Sequence, residues 1–357
     1  MKRSTPRHFV TFLITGILLI GTFSCSQPNV VNIYSSRHYD SDLALFETFT
    51  EKTGIEVQII ESGGDELIER MKSEGVNSPA DLLITVDAGR LWRAVEADIF
   101  QPHGSDVINQ IVPVQYRDTQ DLWTGLSKRV RGIVYHKDRV DPNELKGYVD
   151  LADDAWKGRI CIRSSNNIYN QSLMASMIDN VGAEAAEEWA KNLVSNFARP
   201  PQGGDTDQIR AVAAGVCDLA VVNHYYLERL KTSGLEEDRT VASNVGIYFP
   251  SAAHGGAHIN ISGAGIAKYS PNPENARAFL EFLITEEAQN LYAVRNHELP
   301  MVDINGPSAS VEENQDPDQI ASAGTMKDPL EGDGLHVSIY GFHNPQAIRI
   351  MDKAGWR

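Results

Sequence analysis

Apolar and polar positions change period repeatedly along this chain, and each change marks an element. Val30, Val31, Ile33 and Tyr34 form a short apolar run that predicts a strand, and the polar stretch from Ser35 to Tyr39 follows as a loop. From Asp42 to Thr53, Leu43, Leu45, Phe46 and Phe49 give one apolar helical face, and Gly54 supplies a stop. Residues 56–60 predict a second strand, Gly63 and Gly64 lead into a helix over 65–74, and residues 81–86 predict a third strand. This βαβαβ rhythm predicts a mostly parallel sheet with helices on both faces.

The rhythm restarts after Arg129. Strands are predicted over 132–136, 158–163, 218–223 and 260–267, and helices over 171–179, 184–196, 207–214 and 225–231. Two further helices are predicted within 273–294 and a closing one over 345–353, whereas 303–334 is rich in Pro, Ser, Gly and acids and reads as loop. No repeat at a fixed period is visible. Two α/β units in one chain predict a bilobal binding protein with its ligand in the cleft. In open α/β sheets ligands bind beyond the carboxyl ends of strands, which directs attention to the loops after Tyr34, Arg163 and Val222.

The N-terminus changes the compartment. Lys2, Arg3 and Arg7 precede an apolar stretch from Phe9 to Phe23, the pattern of a secretory signal over residues 1–24 and too short for the ~20 residues of a spanning helix. Ser24-Cys25 resembles a lipoprotein processing site, though Phe23 stands where a small residue is usual; lipidation of Cys25 and ordinary cleavage nearby both stay open. Removing that segment takes away three basic and no acidic side chains, moving the formal charge from −16 to −19. So acidic a chain repels nucleic acid and anionic headgroups, and suits a protein that meets cations. The remaining length exceeds a comfortable single core, so two domains are expected. Cys161 and Cys217 are expected as two buried free thiols at strand ends, with one disulfide in an oxidising compartment as the alternative.

All three crevice loops carry tyrosine: His38-Tyr39, then Tyr169 in Ser164-Ser-Asn-Asn-Ile-Tyr169-Asn-Gln, then His224-Tyr225-Tyr226. Neighbouring helix positions point about 100° apart, so Tyr225 and Tyr226 are not expected to face one core together. Taken singly, each tyrosine reads more readily as a half-buried side chain with a satisfied hydroxyl. The combination fits Fe(III), a hard acid that favours oxygen donors over thiolates. A bound trivalent ion displaces the phenolic proton despite an ordinary pKa of about 10, because coordination stabilises the phenolate.

The segments Ile33-Tyr-Ser-Ser-Arg-His-Tyr39, Cys161-Ile-Arg-Ser-Ser-Asn-Asn-Ile-Tyr169-Asn-Gln-Ser172 and Asp218-Leu-Ala-Val-Val-Asn-His-Tyr-Tyr226 resemble the periplasmic ferric-ion-binding proteins of ABC iron importers, in particular the branch without an obligatory synergistic anion. The resemblance extends over most of the mature chain, including Asn344 to Trp356, and departs most over 303–333. It implies two mixed-sheet α/β lobes joined by two hinge strands, one from 28–128 plus 258–300 and the other from 129–257 plus 301–357. The crossings are expected near 128–130 and 250–258. It implies Tyr39, Tyr169, Tyr225 and Tyr226 as iron ligands, with His38 a fifth ligand or just outside the coordination sphere. Arg129 and Arg229 are implied as charge-compensating cations, each also readable as an ordinary salt-bridge or surface arginine. A monomer that delivers Fe(III) to an inner-membrane ABC permease, with no nucleic-acid partner, is the expected working form.

Other signals carry less. His254-Gly-Gly-Ala-His258 has a metal-like spacing, but its glycines argue against an aligning helix, so a polar loop at the crossover is expected. The histidines at 103, 136, 297 and 343 are scattered, and Gly63-Gly64 is by default a turn. No phosphate loop, Gly-x-Ser-x-Gly elbow or protease-type zinc motif occurs, so no enzyme is expected. Two rivals stay open: the same fold carrying an organic solute or oxyanion, and a secreted hydrolase.

Overall fold

The computed structural model describes residues 29–37, 42–302 and 332–357. The signal-like segment, Cys25, His38, Tyr39 and most of the acidic tail lie outside the described residues. The chain begins with β1 (Val30–Ser35), α1 (Asp42–Thr53), β2 (Glu56–Glu61), α2 (Gly64–Glu74) and β3 (Leu82–Val86), as the alternation predicts. β1 lies parallel to both β2 and β3, and Leu45, Phe46 and Phe49 of α1 are buried against this layer. Then come α3 (Ala88–Glu96), β4 (Phe100–Gln101) and α4 (Asp106–Ile111), which the pattern did not predict. Asp87 starts α3 from a left-handed φ of 83°, its carboxylate accepting the Gly89 N–H at 2.9 Å.

The next strand, β5 (Thr124–His136), is far longer than the predicted run. After it come β6 (Ile160–Cys161), α5 (Ile168–Val181), α6 (Ala183–Ser195), α7 (Asp205–Ala213), β7 (Leu219–Asn223), α8 (His224–Lys231), α9 (Glu236–Ser243) and β8 (Val245–Tyr248). The chain closes with β9 (Ile259–Ala267), α10 (Pro273–Leu283), α11 (Glu286–Asn296), β10 (Leu299–Pro300), α12 (Ile339–Phe342) and α13 (Asn344–Ala354). Strand order is β2-β1-β3-β9-β5-β7-β6. β5 joins two halves: residues 124–130 pair with β9, and residues 131–136 pair with β7 and β8.

The sheet is mixed, so the mostly parallel expectation is corrected. β1–β2, β1–β3 and β6–β7 are parallel, whereas the pairs made by β5 with β7, β8, β9 and β10 and by β9 with β3 and β4 are antiparallel. The early rhythm saw only the parallel edge; β5 and β9 come from long-range pairing that local periodicity does not encode.

One large apolar cluster runs through both halves, and the second half adds a smaller one of its own. Along β7, Leu219 and Val221 join the main core, while Ala220 and Val222 face a second cluster with Ile209, Val212 and Leu227. This period-2 alternation is that of a strand buried on both faces. Cys161 and Cys217 also lie there and form a disulfide, Cα–Cα 5.8 Å, correcting the expected free thiols. The parallel pairing Cys161↔Ala220 brings Cys217, three residues upstream, within disulfide span. Among the described residues no helix is long and apolar enough to cross a membrane.

Candidate metal centre

Two strand ends in the second half deliver the tyrosines. Beyond β6 the chain runs through Arg163 to Asn167, whose side-chain oxygen caps α5 by accepting the Tyr169 N–H at 3.1 Å. Tyr169 therefore stands in the first turn of α5, which begins three residues earlier than predicted, and not in a loop. Asn170 Nδ2 donates to the carbonyls of Arg163 (3.0 Å) and Ser164 (3.3 Å), and Gln171 Nε2 donates to that of Ser165 (2.9 Å), tying the connecting segment to the helix it feeds. Tyr169 is buried against Ile168 and Val86, the last residue of β3.

α8 follows β7 directly. Its first residue, His224, is buried, and its Nδ1 accepts the backbone N–H of Val130 at 3.2 Å, pinning the helix start to β5 where that strand changes partners. Burial pushes the His224 imidazole down to about 4, Arg129 acting in the same direction and Glu298 opposing, so the ring is neutral near pH 7.

Tyr225 is fully buried and Tyr226 partly so. Their rings do not diverge: the centroids are 4.4 Å apart with planes inclined by 34°. The 100° argument fails here because a first helical turn has no preceding turn to restrict side-chain rotamers. The Tyr169 and Tyr225 hydroxyls converge to 3.5 Å, and Asn223 Nδ2 approaches the Tyr225 oxygen at 3.4 Å. Donor oxygens sharing a hard cation at ~2 Å, in neighbouring coordination positions, sit roughly 2.8 to 3.5 Å apart. The spacing therefore suits two adjacent ligands. Among the described residues no group of three or more His, Cys, Asp or Glu side chains could hold a metal.

Arginines ring the phenols. The guanidinium carbons of Arg129, Arg131 and Arg163 lie 5.7, 5.9 and 5.6 Å from the Tyr169 ring centroid. Arg229 covers Tyr225 at 4.9 Å and Tyr226 at 5.9 Å. Arg129 and Arg229, expected as charge-compensating cations, thus do stand beside the tyrosines. Arg129 is not a surface residue: it is buried, bonded to Ser262 Oγ and 3.5 Å from a Glu298 oxygen. Sequence reasoning missed Arg131 and Arg163. The period-2 spacing of Arg129 and Arg131 on one strand face was the available signal, hidden because the strand was predicted to begin at 132. Of the other expectations, His254 is exposed in a short turn, whereas His258 is buried rather than part of a polar loop. The 820 Å³ groove lined by Glu184, Glu187, Lys191, Arg349 and Lys353 lies between α6 and α13, away from the tyrosines.

The chain matches the family described as bacterial extracellular solute-binding protein over residues 35–290. It is 47% identical to Iron uptake protein A1 of Synechocystis sp. over 331 residues, covering 93% of this chain and 88% of that one. Trichodesmium IdiA (FutA) in complex with iron and citrate ligands aligns with TM-score 0.84 and 52% identity, covering 92% of this chain and 100% of the other. A ferric binding protein from Campylobacter jejuni aligns with TM-score 0.81 and 38% identity, covering 92% and 100%.

Proposed function

The chain belongs to the bacterial extracellular solute-binding protein family, and we propose that within it this protein captures Fe(III) on tyrosine oxygens and delivers it to an inner-membrane ABC permease. Members of the family bind solutes and are not enzymes, and the fold is the bilobal α/β fold of periplasmic binding proteins. The relatives named for iron uptake and ferric binding support the cargo. The observation that carries the reading is the convergence of the Tyr169 and Tyr225 hydroxyls at 3.5 Å beside Tyr226, inside a ring of arginines.

On this reading Tyr169, Tyr225 and Tyr226 are ligands, and Tyr39 and His38, which lie outside the described residues, complete or flank the set. The lobes divide as 28–128 plus 258–300 and 129–257 plus 301–357, with β5 and the segment before β9 as the crossings, and hinge closure signals the loaded state. Residues 1–24 export the chain to the periplasm, and Cys25 is a candidate lipid anchor. Phenolate on Fe(III) gives a visible charge-transfer band. Mature protein given one equivalent of ferric nitrilotriacetate should therefore turn yellow to red, and Tyr225→Phe should weaken or shift the band. The cationic surround also suits an organic anion as cargo. Protein that stays colourless and leaves the iron with its chelator would replace the ferric reading with that one.

A further inference from the structure

Beneath the tyrosines lies a carboxylate that no motif marks. Asp205, the first residue of α7, is 1% exposed. Its Oδ2 accepts from Arg131 Nη1 at 2.9 Å and from the Asn223 backbone N–H at 2.8 Å, and its Oδ1 accepts from Arg163 Nη1 at 3.2 Å. These partners come from β5, the segment after β6, and the end of β7, the three strands of the second half that surround the tyrosines.

Each partner leads to the phenols. Arg131 and Arg163 are among the cations facing the Tyr169 ring, and Arg163 acts electrostatically on Tyr226 as well. Arg131 Nη2 also donates to Asn170 Oδ1 at 2.8 Å, next in sequence to Tyr169. Asn223 immediately precedes α8 and approaches the Tyr225 oxygen. Arg131 Nε and Arg163 Nε are buried donors with no hydrogen-bond partner among the described residues, so both guanidiniums retain donor capacity beside the ring.

We propose that Asp205 is a positioning residue for the ferric site: it holds Arg131 and Arg163 against Tyr169 and fixes the start of the Tyr225–Tyr226 helix. The inference rests on the ferric reading above. Two arginines and a carboxylate are costly to bury, and apolar packing would hold these strands as well. What apolar side chains would not supply is positive charge at fixed places around phenols that become anionic on binding iron. Asp205 orients that charge and, by neutralising one of the two guanidiniums, makes its burial tolerable.

The test loads wild type, Asp205→Asn, Arg163→Gln and Asp81→Asn with ferric nitrilotriacetate, then strips iron with increasing citrate. Asp81 is an equally buried carboxylate, holding Asn32, Ser270 and Asn272 at the other end of β3 from Val86, and reports the cost of losing a buried network remote from the tyrosines. Asp205→Asn should release iron at ten-fold or more lower citrate with a displaced band. Arg163→Gln should release it at several-fold lower citrate with the band moved to longer wavelength, since a cation that stabilises the phenolate electrons is gone. Asp81→Asn should lower the melting temperature and leave the band in place. If Asp205→Asn does not fold, Arg163→Gln, whose side chain is 20% exposed, carries the test. Folded variants with wild-type band and citrate midpoint overturn the role of Asp205 alone, whereas a colourless wild type overturns the ferric reading and this inference together.

Discussion

Glu298 allows the stability of the joint between the two halves to be tested with one substitution. Its carboxylate is buried just before β10 and accepts from Arg37 Nη1 and Ser127 Oγ, each at 2.9 Å, with Arg129 at 3.5 Å. Arg37 also pairs with Asp42 at 2.7 Å, so one network binds the end of β1, the start of α1, and β5 close to its change of partners. Removing one member of a buried ion pair costs about 3–5 kcal/mol, because the remaining charge stays desolvated. In Glu298→Gln the amide keeps one acceptor and Arg37 keeps Asp42, while the compensation that Arg129 takes from Glu298 is lost. The loss should therefore fall near the lower end, about 3 kcal/mol.

The pH dependence gives the sign. Burial raises the Glu298 pKa, but Arg37 and then Arg129 outweigh it and hold the carboxyl below its ordinary 4.5. A depressed folded-state pKa stabilises fully above the unfolded value and loses that contribution as pH falls through the folded one. The gap between wild type and Glu298→Gln should be full at pH 7 and narrow below about pH 4. Urea unfolding followed by tryptophan fluorescence reads it. With a slope at or above the ~3 kcal/mol/M reached by small proteins, the midpoint should fall by roughly 1 M at pH 7. Equal midpoints at pH 7, or a gap of the same size at pH 7 and 3.5, would refute the argument that a buried charge balance holds this joint.

Three other outcomes are expected. Tyr225→Phe removes a hydroxyl that stands 3.4 Å from Asn223 Nδ2 and 3.5 Å from the Tyr169 oxygen, so apo stability should fall by about 1 kcal/mol, read as a small drop in melting point, while iron retention falls sharply. Reducing the Cys161–Cys217 disulfide, or replacing both with Ala, opens a link of sequence separation 56 and should cost roughly 4 kcal/mol by the chain-entropy estimate, read as a lower urea midpoint. Gly341→Ala sets a methyl group on Trp92 Cβ and Cγ where α12 packs on α3, and differential scanning calorimetry should show a loss of about 1–3 kcal/mol.

What the sequence disclosed divides along physical lines. α1 was readable to its ends because Leu45, Phe46 and Phe49 encode its buried face locally, although Leu43, read onto that face, is exposed, and β7 to within a residue because its apolar run is bounded and buried on both sides. β5 was half missed: Ser127, Lys128, Arg129 and Arg131 look like solvated polar residues, and only pairing with β9 and β7 and burial against Glu298 and Asp205 make them strand. Tyr169, Tyr225 and Tyr226, which the structure brings together, were singled out because segments beyond strand ends shared one residue type, whereas Tyr39 lies outside the described residues. Asp205 and Glu298 were not singled out, since nothing about an acid near a helix end predicts which arginine it will meet. The spatial partners of Arg131 and Arg163 lie 74 and 42 residues away, beyond any local pattern.

The charges around the tyrosines bear on how a ferric site loads. Arg129, Arg131, Arg163 and Arg229 face the phenols; Glu298 lies beside Arg129, and Asp205 pairs with Arg131 and Arg163. Fe(III) arriving on four phenols and displacing four protons would add three charges and remove four, so the net charge of the site would fall by one. On the proposed reading, loading therefore relieves repulsion among the arginines, although the ion itself is trivalent. Arg129 and Arg131 sit on one face of β5, the first tied to Glu298 and the second to Asp205, on either side of the point where the strand passes from β9 to β7. That relief would accordingly be felt in the crossing strand, where a change in charge at the tyrosines can bias how the two halves sit.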